Sequence, residues 1–378
     1  DADYAEELDF CLVCRNCESA CPSGVQFGTL MESARDGLEV LRPRGPLARL
    51  ARFVGFRGIL QRRFALSVSA FGLRFLQRTG LLRVAALLGE RGRALAAQPA
   101  VPPLRERRAL PASTPSSTQR RGAVALLQGC VMPEWLGRVN RSTVRVLGAA
   151  GFDTNVPTKH VCCGALHAHN GDREGARTLL KKTIELFEAL PSGDSLPLVV
   201  NSAGCGAHLR EAEHFFEGEP EWEKRAAALA ARVRDLSEFL TEQEASLPLK
   251  QSKDVALPLT YDDPCHLCHG QGIRTPPREW LDRIEGSNRV ELADSESCCG
   301  SAGIYSILRP ADAQAILEPK LDALERSGAK TLVTANPGCQ LQWQTGVQKA
   351  QLDVEVLHLA ELLDRSLGAG VERNESFE

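Results

Sequence analysis

The sequence predicts an α/β protein in which an N-terminal cysteine-bearing segment with helices precedes two duplicated α/β modules with mostly parallel sheets. Three observations predict it. One cysteine pattern occurs twice: Cys130, Cys162-Cys163-Gly164 and Cys205, then Cys265, Cys298-Cys299-Gly300 and Cys339. The gaps are 31 and 41 residues in the first copy and 32 and 39 in the second, and equivalent cysteines lie 135, 136 and 134 residues apart. Strand and helix signals alternate through both copies, as a parallel sheet with helical crossovers requires. Four more cysteines crowd into the first 41 residues.

Residues 1–41 read as a partial ferredoxin-like [4Fe-4S] segment. Cys11-x2-Cys14-x2-Cys17-x3-Cys21-Pro22 is the bacterial ferredoxin run. Close spacing lets one loop offer three thiolates to one cluster. The fourth cysteine, beside the proline, ligates the other cluster in two-cluster ferredoxins. A single run is present, so full ligation needs a second, whose natural place is upstream of Asp1. The chain begins with Asp, not Met, and reads as a fragment or a processed product. A zinc knuckle is the alternative for these four cysteines.

Residues 42–100 are an Arg-rich helical region. Positions 42–93 hold twelve Arg, no Lys, no Cys and one acid, Glu90, about +11 in a chain of net charge −3. Leu47, Leu50, Phe53, Phe71, Phe75, Leu81 and Leu82 recur there mostly at helical spacing. Three readings stay open: basic amphipathic helices on anionic lipid, a surface for an acidic partner subunit, or a solvated face against the acidic remainder of the chain. Residues 101–121, rich in Pro, Ser, Thr and Arg, read as a linker.

The first module spans 122–245 and the second 255–367. "VALLQGC" and "LTYDDPC" read as strands running into a loop cysteine. "CCGALHAHN" and "CCGSAGIYS" each lead into a helical stretch. "PLVVNSAGC" and "KTLVTANPGC" read as buried strands, and "RVRDLSEFL" and "EVLHLAELL" close the copies. Ligands of such sheets gather beyond the carboxyl ends of the strands, where these cysteines fall.

Four thiolates per copy suffice for one iron–sulfur site. The candidate metal ligands are therefore Cys130, Cys162, Cys163, Cys205, Cys265, Cys298, Cys299 and Cys339, beside Cys11, Cys14, Cys17 and Cys21. The alternatives are structural thiols, an empty site, or zinc held by four thiolates. Cys268 lacks a counterpart in the first copy and reads as a spare thiol. Of the nearby histidines, His266 has the best claim to support a ligand, because it follows Cys265 directly.

Composition bounds the rest. Length 378 and 43% apolar residues allow two or three domains. Neither a signal peptide nor an apolar run of about 18 residues is present, so the clustered cysteines read as metal or redox groups rather than disulfides. The expected location is the cytoplasm, with peripheral attachment to the inner face of the cytoplasmic membrane if the Arg-rich helices meet lipid. Nucleic acid is not an expected partner. No dinucleotide fingerprint, serine triad or phosphate-cradling loop is evident. Catalytic residues for carbon chemistry are therefore not assigned.

The repeated modules resemble the cysteine-rich domains of heterodisulfide reductase subunits. With the ferredoxin run and basic stretch ahead of them, "QGCVMPEWLGRVNRSTVRVL", "NSAGCGAHLREAEH", "DDPCHLCHGQG", "SESCCGSAGIYS" and "TANPGCQLQWQTG" resemble the iron–sulfur subunit family of bacterial glycolate oxidase, from Cys11 to about Leu367. The resemblance implies an electron-transfer subunit. Its FAD-bearing flavoprotein partner would oxidise glycolate to glyoxylate, and this chain would carry electrons towards a membrane quinone. It implies ferredoxin-type ligands at Cys11, Cys14, Cys17 and Cys21. Heterodisulfide reductase modules end in Cys-x-x-Cys. Here the last position is His208 or Gln342, which argues against disulfide chemistry. Complexes acting on lactate, glycerol 3-phosphate or a heterodisulfide remain alternatives, and a zinc-stabilised interaction module is one of another class.

Overall fold

A computed structural model describes residues 2–87, 89, 92, 96 and 99–368. Strands β1 (Ser113–Thr114), β2 (Gly122–Leu127), β3 (Phe152–Asn155), β4 (Leu198–Val200) and β5 (Val233–Asp235) form one sheet in the order β1-β3-β2-β4-β5. All neighbours run parallel except β1. Strands β6 (Leu259–Tyr261), β7 (Thr331–Thr334) and β8 (Glu355–His358) form a second parallel sheet in that order. A parallel bridge between Leu259 and Arg289 stands where β3 stands in the first sheet. The predicted α/β class with parallel sheets and the sequence repeat are thus one architecture built twice. β4 and β7 are buried along their whole length, as continuous apolar runs in a parallel sheet must be.

The helices follow the expected pattern. Gly137–Ala149 turns its apolar residues inward and crosses from β2 to β3. A Cβ at Gly137 would stand 2.3 Å from the Glu106 carbonyl oxygen, so only glycine lets that backbone approach. Arg173–Glu188 starts at Asp172, whose Oδ1 accepts from the Gly175 N–H at 2.9 Å. Its counterpart Pro310–Ser327 has proline in its first turn and ends at Gly328 with φ 69°.

Besides an apolar cluster of its own in each, the modules share a third core. Helix Leu359–Ser366 of the second packs on Gly137–Ala149 of the first, and Leu236–Glu242 of the first packs on Thr275–Asp282 of the second. One apolar cluster runs from Val124 and Leu147 through Phe239 and Trp280 to Leu363. Polar ties secure the exchange. Arg138 pairs with Glu361 and Arg145 with Asp364, Ser142 Oγ donates to Asp364 Oδ2 at 2.8 Å, and Trp280 Nε1 donates to Thr241 Oγ1 at 3.0 Å.

The Arg-rich stretch forms Pro46–Arg52, a π-helical Phe53–Leu60, Arg63–Thr79 and Leu81–Ala86. Phe56, Leu60, Leu66 and Ala70 are buried and anchor it. Its inner face bonds to the chain itself. Arg57 pairs with Asp172 at 3.2 Å, Arg52 Nη2 donates to Asn170 O at 2.6 Å, and Arg44 pairs with Glu39. Its outer face is apolar and basic. Leu47 is 80% exposed and Phe64 81%, with Val68, Phe71 and Phe75 following at helical spacing on the exposed side. Glu90, Arg91 and Arg93 lie outside the described residues. Among those described, no helix is long and apolar enough to cross a membrane.

Residues 101–121 differ from the expected linker. Val101, Arg107 and Thr114 are buried, and β1 adds an antiparallel edge to the first sheet. Arg107 makes a buried double contact with Glu134, whose other oxygen accepts from Ser67 Oγ at 2.6 Å. Proline and serine content reads as a linker, but this backbone is a strap tied down by a buried ion pair.

Candidate metal centres

Each cysteine of the repeat sits at the carboxyl end of a sheet. In the first module, Cys130 follows β2 after Gly129 (φ 72°), Cys162 and Cys163 precede Gly164 (φ 96°), and Cys205 lies in helix Ala203–Arg210 after β4. A Cβ at Gly164 would meet Ala176 O at 3.1 Å and His208 Nε2 at 3.3 Å. The positive φ and the crowding together require glycine there. The thiols converge: Cys163 and Cys205 Sγ lie 3.2 Å apart, and Cys130 hydrogen-bonds Cys162.

The second module repeats this. Cys265 opens helix Cys265–Cys268 after β6, Cys298 and Cys299 precede Gly300 (φ 81°), and Cys339 lies in helix Pro337–Lys349 after β7. Cys298 hydrogen-bonds Cys265 and Cys299, and Cys299 reaches Cys339. The Gly300 N–H donates to Cys298 Sγ and Asn336 Nδ2 to Cys339 Sγ, both at 3.4 Å.

Hydrogen bonding to neighbouring thiols, then burial, pushes Cys130, Cys163, Cys265 and Cys299 well above the ordinary thiol range. Such groups cannot all ionise unaided. A bound cationic centre removes that obstacle, because coordination favours the thiolate. Four adjacent sulfurs per site, buried or half-buried, fit an iron–sulfur cluster and equally a four-thiolate zinc ion.

The N-terminal loop docks between the two modules. Cys14 lies within electrostatic reach of Cys11, Cys17 and Cys298, and Tyr305 of both Cys298 and Cys11. Cys21 stands apart, its thiol lowered by the Val25, Ser23 and Gly24 backbone. Docking is polar: Arg15 pairs with Glu18 and with Glu211 at 2.6 Å, and Ser19 Oγ meets His269 Nδ1 at 2.8 Å. Arg35 gathers the carbonyls of Leu8, Cys11 and His169.

A cavity of about 940 Å³ opens between the modules and the N-terminal helices. Cys11 and all eight repeat cysteines line it, along with apolar Leu12, Val13, Phe56, Leu166 and Ile304. The histidines are fixed around it. Glu32 bonds His169 Nδ1 at 2.7 Å, and the His169 ring lies 5.3 Å from that of His266. Burial lowers His208 to about 4 and His266 to about 3, so both are neutral near pH 7. His266 Nδ1 lies 3.4 Å from Cys265 Sγ.

Cys268 is buried away from the thiol group, and burial pushes it up to about 12. With His269 and Glu296 it could offer three ligand atoms. Arg274, however, already holds the Glu296 carboxylate at 2.9 Å, and His269 Nε2 contacts Glu296 O at 3.0 Å. Lys320, Asp262 and Asn336, which support the second site, have no signature that sequence alone reveals.

These two thiol groups on duplicated sheets define a class. Residues 124–210 and 259–344 match the family model described as CCG, Cysteine-rich domain. Similarity extends well beyond these domains. A Bacillus subtilis protein named "Probable glycolate oxidase iron-sulfur subunit" is 36% identical over 97% of this chain and 84% of its own length. The "Glycolate oxidase iron-sulfur subunit" of Escherichia coli is 28% identical over 96% of this chain and 82% of its own. "Lactate utilization protein A" of Shouchella clausii is 30% identical over 64% of this chain and 98% of its own. The chain belongs to the family of glycolate oxidase iron–sulfur subunits, and with it to the iron–sulfur proteins among the oxidoreductases.

Proposed function

We propose that this chain is the electron-carrying subunit of a glycolate-oxidising complex. It takes electrons from an FAD-bearing flavoprotein partner and delivers them towards a membrane quinone. The observation that carries this reading is the convergence of nine cysteines, from three segments, on one cavity. Oxidising glycolate to glyoxylate releases two electrons and two protons. The flavin accepts the pair, and single-electron carriers must then take the electrons one at a time.

A [4Fe-4S] cluster supplies such one-electron chemistry with little rearrangement. Cys130, Cys162, Cys163 and Cys205 would hold one, Cys265, Cys298, Cys299 and Cys339 another. Cys11, Cys14 and Cys17 would contribute to a third, with Cys21 serving a neighbouring centre. On this reading residues 1–41, 122–245 and 255–367 are the cluster-bearing units. Leu12, Val13, Leu166 and Ile304 keep water from the thiolates, and Arg35 and Arg15 fix the N-terminal loop beside Cys298. The exposed Leu47, Phe64, Val68, Phe71 and Phe75 with their arginines would rest on an anionic leaflet. On this reading the chain would lie at the inner face of the cytoplasmic membrane, within reach of quinone.

The test is anaerobic co-purification of the full-length chain with its flavoprotein partner, followed by addition of glycolate. Brown protein whose EPR signals appear on adding glycolate supports the proposal. Signals that appear with lactate and not glycolate sink the substrate assignment. Colourless protein containing zinc sinks the electron-transfer role.

A further inference from the structure

The two modules are copies, yet one buried pair divides them. A Cβ at Gly300 would meet Ala313 O at 2.6 Å, as one at Gly164 would meet Ala176 O. Ala313 and Ala176 are therefore equivalent, and so are Lys320 and Thr183, seven residues further along each helix. Counting back three residues from Cys265 and Cys130 pairs Asp262 with Leu127. The first module thus has a leucine and a threonine where the second has an aspartate and a lysine.

Thr183 is buried and its Oγ1 donates to Cys162 O at 2.9 Å. Lys320 does more. Its side chain is 3% exposed and lies 2.9 Å from Asp262, which is 1% exposed. Its Nζ also donates to the carbonyls of Asp294 and Ser295 at 3.0 Å and of Ser297 at 2.8 Å, the loop that leads into Cys298. The ammonium lies within electrostatic reach of Cys299 and Cys339, whereas Asp262 interacts with Lys320, Trp343 and Asp263.

Burying two charges is costly before any pairing gain, and apolar replacements are often as stable. The first module demonstrates that this fold closes without the pair. Its retention in the second calls for a use beyond stability. A positive charge beside a thiolate-bound centre favours the state carrying one more electron. Two equal sites, by contrast, would give electron flow between them no direction.

We propose that Lys320, held by Asp262, is a positioning residue that raises the reduction potential of the centre on Cys265, Cys298, Cys299 and Cys339 above that of the centre on Cys130, Cys162, Cys163 and Cys205. This rests on the reading of both thiol groups as iron–sulfur sites. A unit charge acting over roughly 10 Å at an effective dielectric of about 20 shifts such an equilibrium by on the order of tenfold. For a one-electron couple that is about 59 mV.

The experiment is an EPR-monitored potentiometric titration of the full chain, purified anaerobically. The second-module signal is identified as the one that Cys339→Ser abolishes. Lys320→Met should move that signal alone to lower potential, by on the order of tenfold in its reduced-to-oxidised ratio at fixed potential. Asp262→Asn should move it upward, Lys320→Arg should leave it in place, and D262L/K320T, which copies the first module, should lower it. An unmoved signal in Lys320→Met with iron content intact overturns the proposal. Loss of second-site iron from both Lys320→Met and D262L/K320T overturns it too, because the pair is then structural. Wild-type protein without iron at the second site overturns the underlying reading, and the proposal with it.

Discussion

Gly204 and Asn336 join the two thiol groups directly. The Gly204 backbone N–H donates to Asn336 Oδ1 at 3.2 Å, one residue before Cys205, while Asn336 Nδ2 donates to Cys339 Sγ. The matching position in the first module is Ser202, the N-cap of helix Ala203–Arg210, and its neighbour Asn201 bonds Asn140 and Thr143 inside its own module. Asn336→Ala should therefore cost about 1–2 kcal/mol of unfolding free energy. It should also alter the EPR line shape of the second-module centre, since hydrogen bonds to sulfur tune such centres. Urea unfolding with EPR on the same samples checks both.

Cys205→Ser and Cys339→Ser should each remove one centre and spare the other. Iron and sulfide should fall by about one cluster's content in each single variant and by about two in the double. Equal losses from the single and double variants would mean that the sites assemble as one unit.

The outer face of helix Arg63–Thr79 should carry membrane affinity. Replacing Phe64, Phe71 and Phe75 together by Ser should weaken binding to anionic vesicles more than tenfold, given ~0.8 kcal/mol for each methylene-sized increment of buried apolar surface. High salt should weaken wild-type binding as well. Vesicle flotation reads both, and unchanged binding by the triple variant would argue for a protein partner on this face.

Arg107 and Glu134 tie the strap and helix Arg63–Thr79 to the first module. Arg107→Met leaves the Glu134 carboxylate buried without its main partner and should cost about 3–5 kcal/mol. Faster proteolysis between residues 60 and 120 is the expected signature.

Asp235 caps helix Leu236–Glu242, accepting from the Ser237 N–H at 2.8 Å. Burial pushes its carboxyl up to about 6, against about 3.9 in an unfolded chain. Its contribution to stability is thus fully present below pH 4 and is lost as pH rises through 6. Asp235→Asn keeps a good cap and removes this dependence. The variant should be about 3 kcal/mol more stable than wild type at pH 7.5, with the gap narrowing at pH 5. Paired urea titrations at the two pH values measure it.

What the sequence disclosed follows from the range of the forces involved. Cysteine spacing, the glycines after each pair and the buried strand runs are local, so "LVV" and "TLVT" mark β4 and β7 without reference to packing. The exchange of helices between modules depends on contacts more than 200 residues apart, such as Ser142 with Asp364, and no local pattern carries it. Lys320 shows a different limit. A lysine on an amphipathic helix reads as solvent-facing, and only Asp262 and three carbonyls placed from elsewhere reveal an interior cation. Ser113 and Thr114 pair with β3 although their surroundings are rich in Pro and Ser, because an edge strand needs only one partner.

The exchanged helices also set the order in which this molecule can be made. Helix Gly137–Ala149 emerges from the ribosome long before Leu359–Ser366, the helix that covers it. For more than 200 residues of synthesis the first module must wait with an apolar face uncovered. The shared apolar core is therefore completed only when the last helix is released.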